Sequence, residues 1–400
     1  MGQRRHVNVG GPLAPYAAGF EIELGRQGYR SGRGLLGLMA RLSRWLGAHE
    51  LDACDLSRSR VEQFLADSGE GVGAGALSMR AMVPLLNYLV GIGVAPVREP
   101  VSASTALEVL MERYALYLIE ERGLGASSVR HYVAVACGFL SWSGSGGELG
   151  LESLSTATVT GFVLAECGRG KVGSAKAMTT RLRSLLRFLY VQGFTPTSLA
   201  GAVPVVASWR LSGLPETLSA SQVDRLLESC DRRTTDGRRD FAIITVVARL
   251  GLRAGEVAGL QLGDIDWRHG ELTVRGKGNR QDRLPLPTDV GQAIADWLER
   301  GRPRCECRSV FIRVSAPRRE LTGGGVSAIV RRACQRAGLV PVGAHRLRHT
   351  AASGMLQGGA SLAEVGQVLR HQSHNTTSIY AKVDRRALIA VVAPWPGSTT

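Results

Sequence analysis

The chain has 400 residues, enough for two or three domains that each bury a core. Its formal net charge of +15 indicates a polyanionic partner, of which nucleic acid is the commonest and a membrane surface the weaker alternative. No apolar run approaches the roughly 18 residues of a membrane span, the start lacks a secretory signal, and seven scattered cysteines do not form a disulfide framework. We therefore expect a cytoplasmic, nucleoid-associated protein.

Lysine is rare in this chain. Of 49 basic residues only four are lysines, namely Lys171, Lys176, Lys277 and Lys382. Such a skew towards arginine is typical of a GC-rich genome, so part of the arginine content is not a binding signal. Each remaining lysine is correspondingly more informative.

The first half of the chain is predicted to be helical and contains a repeat. Residues 1–15 are predicted to be a flexible basic leader. Residues 55–64 (DLSRSRVEQF) match residues 153–162 (SLSTATVTGF), and residues 85–96 match residues 185–196 in the same order. We interpret this as a duplicated unit of about four helices with Leu-Ser N-caps, forming one domain at 16–97 and a second at 103–200.

Residues 201–217 lack periodicity and are predicted to be a linker, followed by a domain at 218–400 that begins with a Leu-Ser helix cap. A helix near 241–250 should end at Gly251 with a left-handed C-cap. Residues 272–286 predict two strands around a glycine-rich turn that carries Lys277. The fold class is thus α+β, mostly helical with one small antiparallel sheet.

Two C-terminal motifs carry the chemistry. In residues 343–350 (GAHRLRHT) the spacing of His345, Arg348 and His349 places all three on one face of a helix. A guanidinium beside an imidazole suits a site that grips a phosphate and moves a proton near it. In residues 369–380 (LRHQSHNTTSIY), His371 is followed by a predicted helix cap and then Tyr380.

These motifs closely resemble the C-terminal signature of the tyrosine recombinases, the group of phage integrases and chromosome-dimer resolvases. Residues 248–260 resemble the first arginine box of that family, and the likeness covers about 215–385 and, more weakly, 105–200. One departure is Arg370, which stands where the family usually has glycine.

The resemblance implies a set of catalytic roles. Cleaving a phosphodiester without a metal needs positive charge on its oxygens, a nucleophile and a proton for the leaving oxygen. Arg253 and Arg348 would bind the phosphate, and Tyr380 would attack it to give a 3′-phosphotyrosyl intermediate. His345 would accept the phenolic proton, and His371 would donate a hydrogen bond to a nonbridging oxygen.

The resemblance and the rarity of lysine assign to Lys277 the protonation of the departing 5′ oxygen. The pKa of an ammonium can be lowered until it acts as a general acid, whereas a guanidinium stays protonated. Glu256 and His349 lie one helical turn from Arg253 and His345, and we predict that they support them. We expect no cofactor and no metal.

DNA contacts are predicted on the second helical domain, which resembles the core-binding domain of the family. The alternative for each residue is an ordinary solvated helix face. The candidates are Arg130, Lys171, Lys176, Arg181, Arg183 and Arg187, and Arg370 in the C-terminal domain is an additional one.

The resulting hypothesis is a site-specific DNA recombinase, an integrase or transposase of a mobile element, that is a monomer when free and a tetramer on DNA. Accessory DNA-bending proteins or a sister recombinase are possible partners. Two alternatives stay open: a relaxing enzyme like the type IB topoisomerases, and a DNA-binding protein without activity. The apolar tail 387–393 is expected to dock on a neighbouring subunit or, alternatively, on its own domain.

Overall fold

The computed structural model describes residues 7–68, 78–96, 105–144, 150–168, 172–206, 217–276 and 280–370. No helix in these ranges is long and apolar enough to span a membrane. Three predicted catalytic residues, Lys277, His371 and Tyr380, lie outside the described residues. So do Lys171, the tail 387–393 and positions 207–216 of the predicted linker.

In residues 7–68 and 78–96, four helices form the first bundle. They are α1 (Ala17–Arg26), α2 (Arg33–Ala48), α3 (Arg58–Asp67) and α4 (Met79–Gly91). Their apolar faces enclose a core of their own that includes Phe20, Leu42 and Phe64. A flexible leader was predicted for residues 1–15, of which 1–6 lie outside the described residues. From residue 7 onwards the structure differs, because Leu13 is fully buried in this core and its N–H donates to Ser43 Oγ at 2.9 Å.

In the described ranges from 105 to 206, four further helices form the second bundle around a separate core. They are α5 (Ala106–Glu120), α6 (Ala126–Ser143), α7 (Thr156–Cys167) and α8 (Val172–Val191). The predicted Leu-Ser caps are confirmed, since the hydroxyls of Ser57 and Ser155 accept N–H bonds in the first turns of α3 and α7. Gly93 and Gly193 follow α4 and α8 with φ near +73° and +75°. Matching caps and matching ends agree with the predicted repeat.

Over residues 217–276 and 280–370 the C-terminal segment combines seven helices with a three-stranded antiparallel sheet of order β1-β2-β3. These elements are α9 (Ala220–Glu228), α10 (Thr235–Leu250), α11 (Ala254–Gly259), β1 (Ile265–Asp266), β2 (Glu271–Arg275), β3 (Gln281–Pro285), α12 (Thr288–Arg300), α13 (Gly323–Arg336), α14 (Ala344–Gln357) and α15 (Leu362–Val368). The predicted fold class, mostly helical with one small sheet, is confirmed.

Local signals explain how these elements begin and end. Ser219 and Gln222 form a capping box at the start of α9, as the sequence predicted. Helix α10 begins at Thr235, earlier than predicted, and ends at Gly251, whose φ of +61° confirms the left-handed C-cap. In the hairpin, Leu272 pairs with Leu284 and Val274 with Asp282.

The chain forms two compact units. One combines the residues up to Ala95 with those from Gly213 onwards, and the other comprises Pro96–Ser212. Within the first unit, α1 meets the C-terminal segment, since Arg26 pairs with Glu306 and the N–H of Arg318 donates to the carbonyl of Gln27 at 2.9 Å. The first bundle nevertheless keeps its own core, and the domain boundaries drawn from the sequence stay a prediction.

Candidate active site

Arg253 lies at the junction between the end of α10 and the start of α11. The left-handed turn at Gly251 ends α10, and Arg253 is the extended N-cap residue of α11, with its side chain 43% exposed. Its Nη1 donates to Glu256 Oε1 at 2.7 Å, and its Nη2 donates to the carbonyl of Arg370 at 3.3 Å. The guanidinium is thus oriented by two acceptors while part of it faces solvent.

Glu256 is the buried centre of the site. Its side chain is 5% exposed, and Oε2 accepts from the backbone N–H of Arg253 at 2.8 Å and from Nη2 of Arg370 at 2.5 Å. Burial by itself raises the pKa of this carboxyl, but the N–H of Arg253 and the charge of Arg370 outweigh it and hold the pKa below its usual range. Glu256 is therefore an ionised carboxylate at neutral pH.

Arg348 is buried on α14, with only 3% of its side chain exposed. Its Nη1 donates to the carbonyl of Gly251 at 2.5 Å and its Nη2 to the carbonyl of Leu369 at 2.6 Å. Nη1 also lies 4.0 Å from Oε2 of Glu256. Two arginines that are far apart in the sequence, Arg253 and Arg348, are thus joined through one carboxylate.

The two histidines of α14 lie in contact on one helix face, as the sequence predicted. The Nε2 atoms of His345 and His349 are 3.0 Å apart, and their rings meet edge to face. Partial burial and the charges of Arg348 and Arg253 lower the pKa of His345. Partial burial, His345 and Arg348 lower the pKa of His349 to about 4. Both imidazoles are therefore neutral at pH 7, which suits a base beside a phosphate.

Arg370 follows α15 with a left-handed backbone, φ +55°. Its side chain is 9% exposed and lies between Glu256 and Asp282 of β3, with Nε 3.7 Å from Oδ2 of Asp282. The sequence indicated only an extra DNA contact here. The structure gives the guanidinium two protein carboxylates instead, and a DNA contact stays a prediction.

Most of the predicted DNA-binding residues that fall in the described part of the second bundle lie at its surface. Arg130, Lys176 and Arg187 are exposed, whereas Arg181 is half-buried. Arg183 is half-buried as well, and its Nη2 donates to the carbonyls of Val203 at 3.0 Å and Pro204 at 2.9 Å. Arg183 therefore also fixes the end of this unit, while DNA contacts of the whole set stay a prediction.

Two supporting contacts were not anticipated from the sequence. Thr350 Oγ1, on the helix of the two histidines, accepts the N–H of Leu218 at 2.9 Å and so ties α14 to the start of α9. Leu369 is fully buried against Gly251, where an added Cβ would come within 2.5 Å of its Cδ2. Neither contact can be predicted from the spacing of residues in the sequence, because the partners are far apart in the chain.

Comparison with known proteins identifies the family. The phage integrase family matches residues 216–386. A putative integrase/recombinase of Sinorhizobium fredii is 41% identical over 393 residues, which cover 97% of this chain and 95% of the relative. The tyrosine recombinase XerD of Listeria monocytogenes is 29% identical over 285 residues, which cover 70% of this chain and 95% of that protein.

Solved structures share the fold. A lambda integrase dimer bound to a core site has a TM-score of 0.54 at 19% identity, and the match covers 73% of this chain and 98% of that one. The XerH recombinase in a post-cleavage complex with a palindromic difH substrate has a TM-score of 0.55 at 19% identity, with 75% and 99% covered.

The family match and the named relatives place this chain among the DNA strand-cleaving and strand-rejoining enzymes of the tyrosine recombinase class. The chain belongs to the phage integrase family, and the resemblance inferred from its motifs is confirmed. It is a site-specific DNA recombinase, and the comparisons do not favour the alternative of a topoisomerase-like relaxing enzyme.

Proposed function

We propose that this recombinase cuts one DNA strand at a time with Tyr380, forming a 3′-phosphotyrosyl bond and releasing a 5′ hydroxyl. The observation that carries the proposal is the convergence of Arg253 and Arg348 on the buried carboxylate of Glu256, beside the neutral His345. This arrangement supports the proposal, because it brings two cations and an imidazole of lowered pKa close together.

The two arginines stabilise the developing charge on the nonbridging oxygens. A guanidinium suits a phosphate because its planar fork donates two parallel hydrogen bonds. Glu256 orients Arg253, and the carbonyls of Gly251 and Leu369 orient Arg348. Donors that are fixed before the substrate arrives contribute most to transition-state stabilisation.

Proton transfers are assigned to three further residues. His345 accepts the phenolic proton of Tyr380 as the oxygen attacks phosphorus, and Lys277 protonates the departing 5′ oxygen. His371 donates a hydrogen bond to a nonbridging oxygen. The phosphotyrosyl bond keeps the energy of the broken phosphodiester, so a 5′ hydroxyl from another strand can reverse the step without ATP.

At the level of assembly, we propose a monomer in solution that forms a tetramer on double-stranded DNA. A lambda integrase of similar fold was solved as a tetramer on a Holliday junction, with a TM-score of 0.53 to this chain. In this proposal the tail 387–393 docks on the neighbouring subunit. The biological role that fits is integration or transposition of a mobile element in the cytoplasm, with accessory DNA-bending or sister recombinase proteins.

The test uses a nicked duplex that traps the covalent intermediate. Wild-type protein should form an SDS-resistant adduct, and Tyr380→Phe should form none while its DNA affinity changes little, because the hydroxyl is the nucleophile and contributes little to docking. Tyr29→Phe, in the first bundle, is the matched control and should react like wild type. An adduct with Tyr380→Phe would assign the nucleophile to another residue.

A second assay separates recombination from relaxation. Two differently labelled duplexes that carry the same site should exchange strands, and the products should migrate as recombinants on a gel. Relaxation of a supercoiled plasmid without any exchange product would show topoisomerase activity instead.

A further inference from the structure

Arg370 has a backbone conformation that favours glycine. Its φ is +55°, and in the described part of the chain Glu50 is the only other non-glycine residue with a positive φ. An L side chain is sterically disfavoured there, whereas glycine adopts the region freely. Glycine would therefore suffice for the turn, and an arginine at this point needs contacts that compensate for its backbone.

The side chain makes those contacts inside the active site. Nη2 donates to Oε2 of Glu256 at 2.5 Å, and Nε lies 3.7 Å from Oδ2 of Asp282, with only 9% of the side chain exposed. The carbonyl of the same residue accepts from Nη2 of Arg253 at 3.3 Å. Arg370 thus contacts the arginine box through its carbonyl and through the hydrogen bond to Glu256, and its guanidinium forms a longer ion pair, without a hydrogen bond, with Asp282 of the hairpin.

The charges around Glu256 suggest why a third arginine is useful. In the free protein Glu256 Oε1 accepts from Nη1 of Arg253 at 2.7 Å, so part of the charge of this guanidinium is already paired. When Arg253 also binds a phosphate, its charge is shared between that anion and the buried carboxylate, and a buried charge that is incompletely paired is costly. Arg370 stays beside Glu256 and balances it. Asp282 in turn links this cluster to β3, opposite Val274 of β2.

We propose that Arg370 is a positioning residue for strand cleavage. Its guanidinium joins Glu256 to Asp282. This link leaves the guanidinium of Arg253 available to the scissile phosphate and fixes the hairpin against the active site. This inference rests on the proposed function for its kinetic consequence. The link itself is a property of the free protein and can be tested without DNA.

The first experiment measures hydrogen exchange of the β2 and β3 amides in the free protein. Arg370→Gly, which keeps the turn, and Asp282→Asn should each accelerate exchange several-fold, and the double variant should add little, because both remove the same link. Arg283→Ala is the matched control: it removes an exposed pair with Glu271 on the same hairpin, at 3.5 Å, and leaves Glu256 untouched. Additive effects, or equal acceleration in the control, would overturn the link.

The second experiment measures DNA binding and single-turnover cleavage. Arg370→Gly should lower the cleavage rate roughly tenfold, the scale of removing a partner that orients a functional group, and Arg370→Lys should recover part of it. The salt dependence of DNA binding should not change. A fall of about 0.9 in the salt slope would instead make Arg370 a phosphate contact, and wild-type cleavage in Arg370→Gly would contradict the positioning role.

The two experiments separate the possible failures. If the wild type forms no adduct, the proposed function is wrong, and hydrogen exchange still decides whether Arg370 links Glu256 to Asp282. If the wild type cleaves and the variants exchange like wild type, the inference about Arg370 is wrong and the proposed function stands.

Discussion

Three arginines share the carboxylate of Glu256, and each meets it differently. Arg253 holds it through both backbone and side chain, Arg370 through a short hydrogen bond, and Arg348 at 4.0 Å. Because the N–H of Arg253 and the charge of Arg370 hold the pKa of Glu256 below its usual range, its carboxylate stays ionised and can hold these side chains together at neutral pH. The charges of the candidate site are therefore organised by contacts of Glu256 with individual arginine side chains.

Lys277 is predicted to be the general acid. Lys277→Arg should reduce cleavage of a normal substrate by roughly 100-fold, the scale of a lost general acid, because a guanidinium does not release its proton. A substrate with sulfur at the 5′ bridging position has a leaving group that needs no proton, so it should be cleaved by the variant at a nearly normal rate. Single-turnover rates on the two substrates measure the difference.

Lys382→Arg is the matched control for that experiment and should cleave both substrates like wild type. Equal defects of Lys277→Arg on the oxygen and sulfur substrates would make Lys277 a residue that positions the phosphate.

The pH dependence of cleavage should follow His345. Partial burial and the nearby arginines lower its pKa below the ordinary value of 6.5, so the ring stays neutral and able to accept a proton somewhat below pH 6.5. As the pH falls through the lowered pKa, the ring becomes protonated and cleavage slows. The rate of adduct formation on the nicked duplex, measured from pH 8 downwards, should therefore fall only below pH 6.5.

Tryptophan fluorescence at each pH would show that the protein remains folded over the range used. A midpoint of the acid limb at or above pH 6.5 would contradict the assignment of His345 as the base, or the environment that lowers its pKa.

At the scale of elements, the end of α10 organises the site. Gly251 ends the helix in the left-handed region, turns the chain towards Arg253, offers its carbonyl to Arg348 and leaves room for Leu369. One glycine thus connects α10, α11, α14 and the end of α15. A side chain at this position would disturb all of these contacts at once.

Gly251→Ala should therefore lower the free energy of unfolding by more than the unfavourable backbone conformation alone would. A methyl group in the left-handed region costs about 1–2 kcal/mol, and the clash with Leu369, 2.5 Å from the added Cβ, should add about 1–3 kcal/mol of overpacking. Gly270→Ala is the matched control, since its φ is +65° with nothing within 4 Å of the added Cβ. Urea unfolding would measure both.

We expect Gly270→Ala to lose only the stability that the unfavourable backbone conformation costs, and to cleave DNA like wild type. Equal losses of stability in the two variants would show that the contact between Gly251 and Leu369 is not as tight as the structure indicates.

At the scale of the whole molecule, the chain has one helical bundle more than the catalytic segment and the predicted DNA clamp require. The second bundle is predicted to be the core-binding domain, whereas the first shares a compact unit with the catalytic segment through contacts at Gln27 and Arg318. The first bundle has a core of its own. It is therefore expected to act in assembly and not in the chemistry.

Deleting residues 1–97 should leave cleavage of a short core site intact and weaken assembly on a longer substrate. The reason is that the candidate catalytic groups and the predicted clamp all lie after this segment. Gel-shift and adduct assays on short and long duplexes would measure the two effects, with circular dichroism to verify folding. Loss of all core-site binding by a folded truncation would show that the first bundle is the clamp.

Local features of the fold were predictable because their causes lie within a few residues. Ser57, Ser155 and Ser219 cap helices through N–H groups three residues away, and Gly251 ends α10 because it tolerates a positive φ. The hairpin follows from alternation around a glycine-rich turn. The family motifs likewise named the candidate site, because their spacing along the chain is itself the signal.

The sequence by itself thus determined the fold class, the family and the candidate catalytic residues of this recombinase. Only the tertiary structure decided that Leu13 packs into a core, that Glu256 is buried among three arginines and that Arg370 faces Glu256 and Asp282. The physical reason is that these contacts join segments far apart in the chain. Their strength depends on burial and on the charges that folding brings together, and neither can be read from spacing.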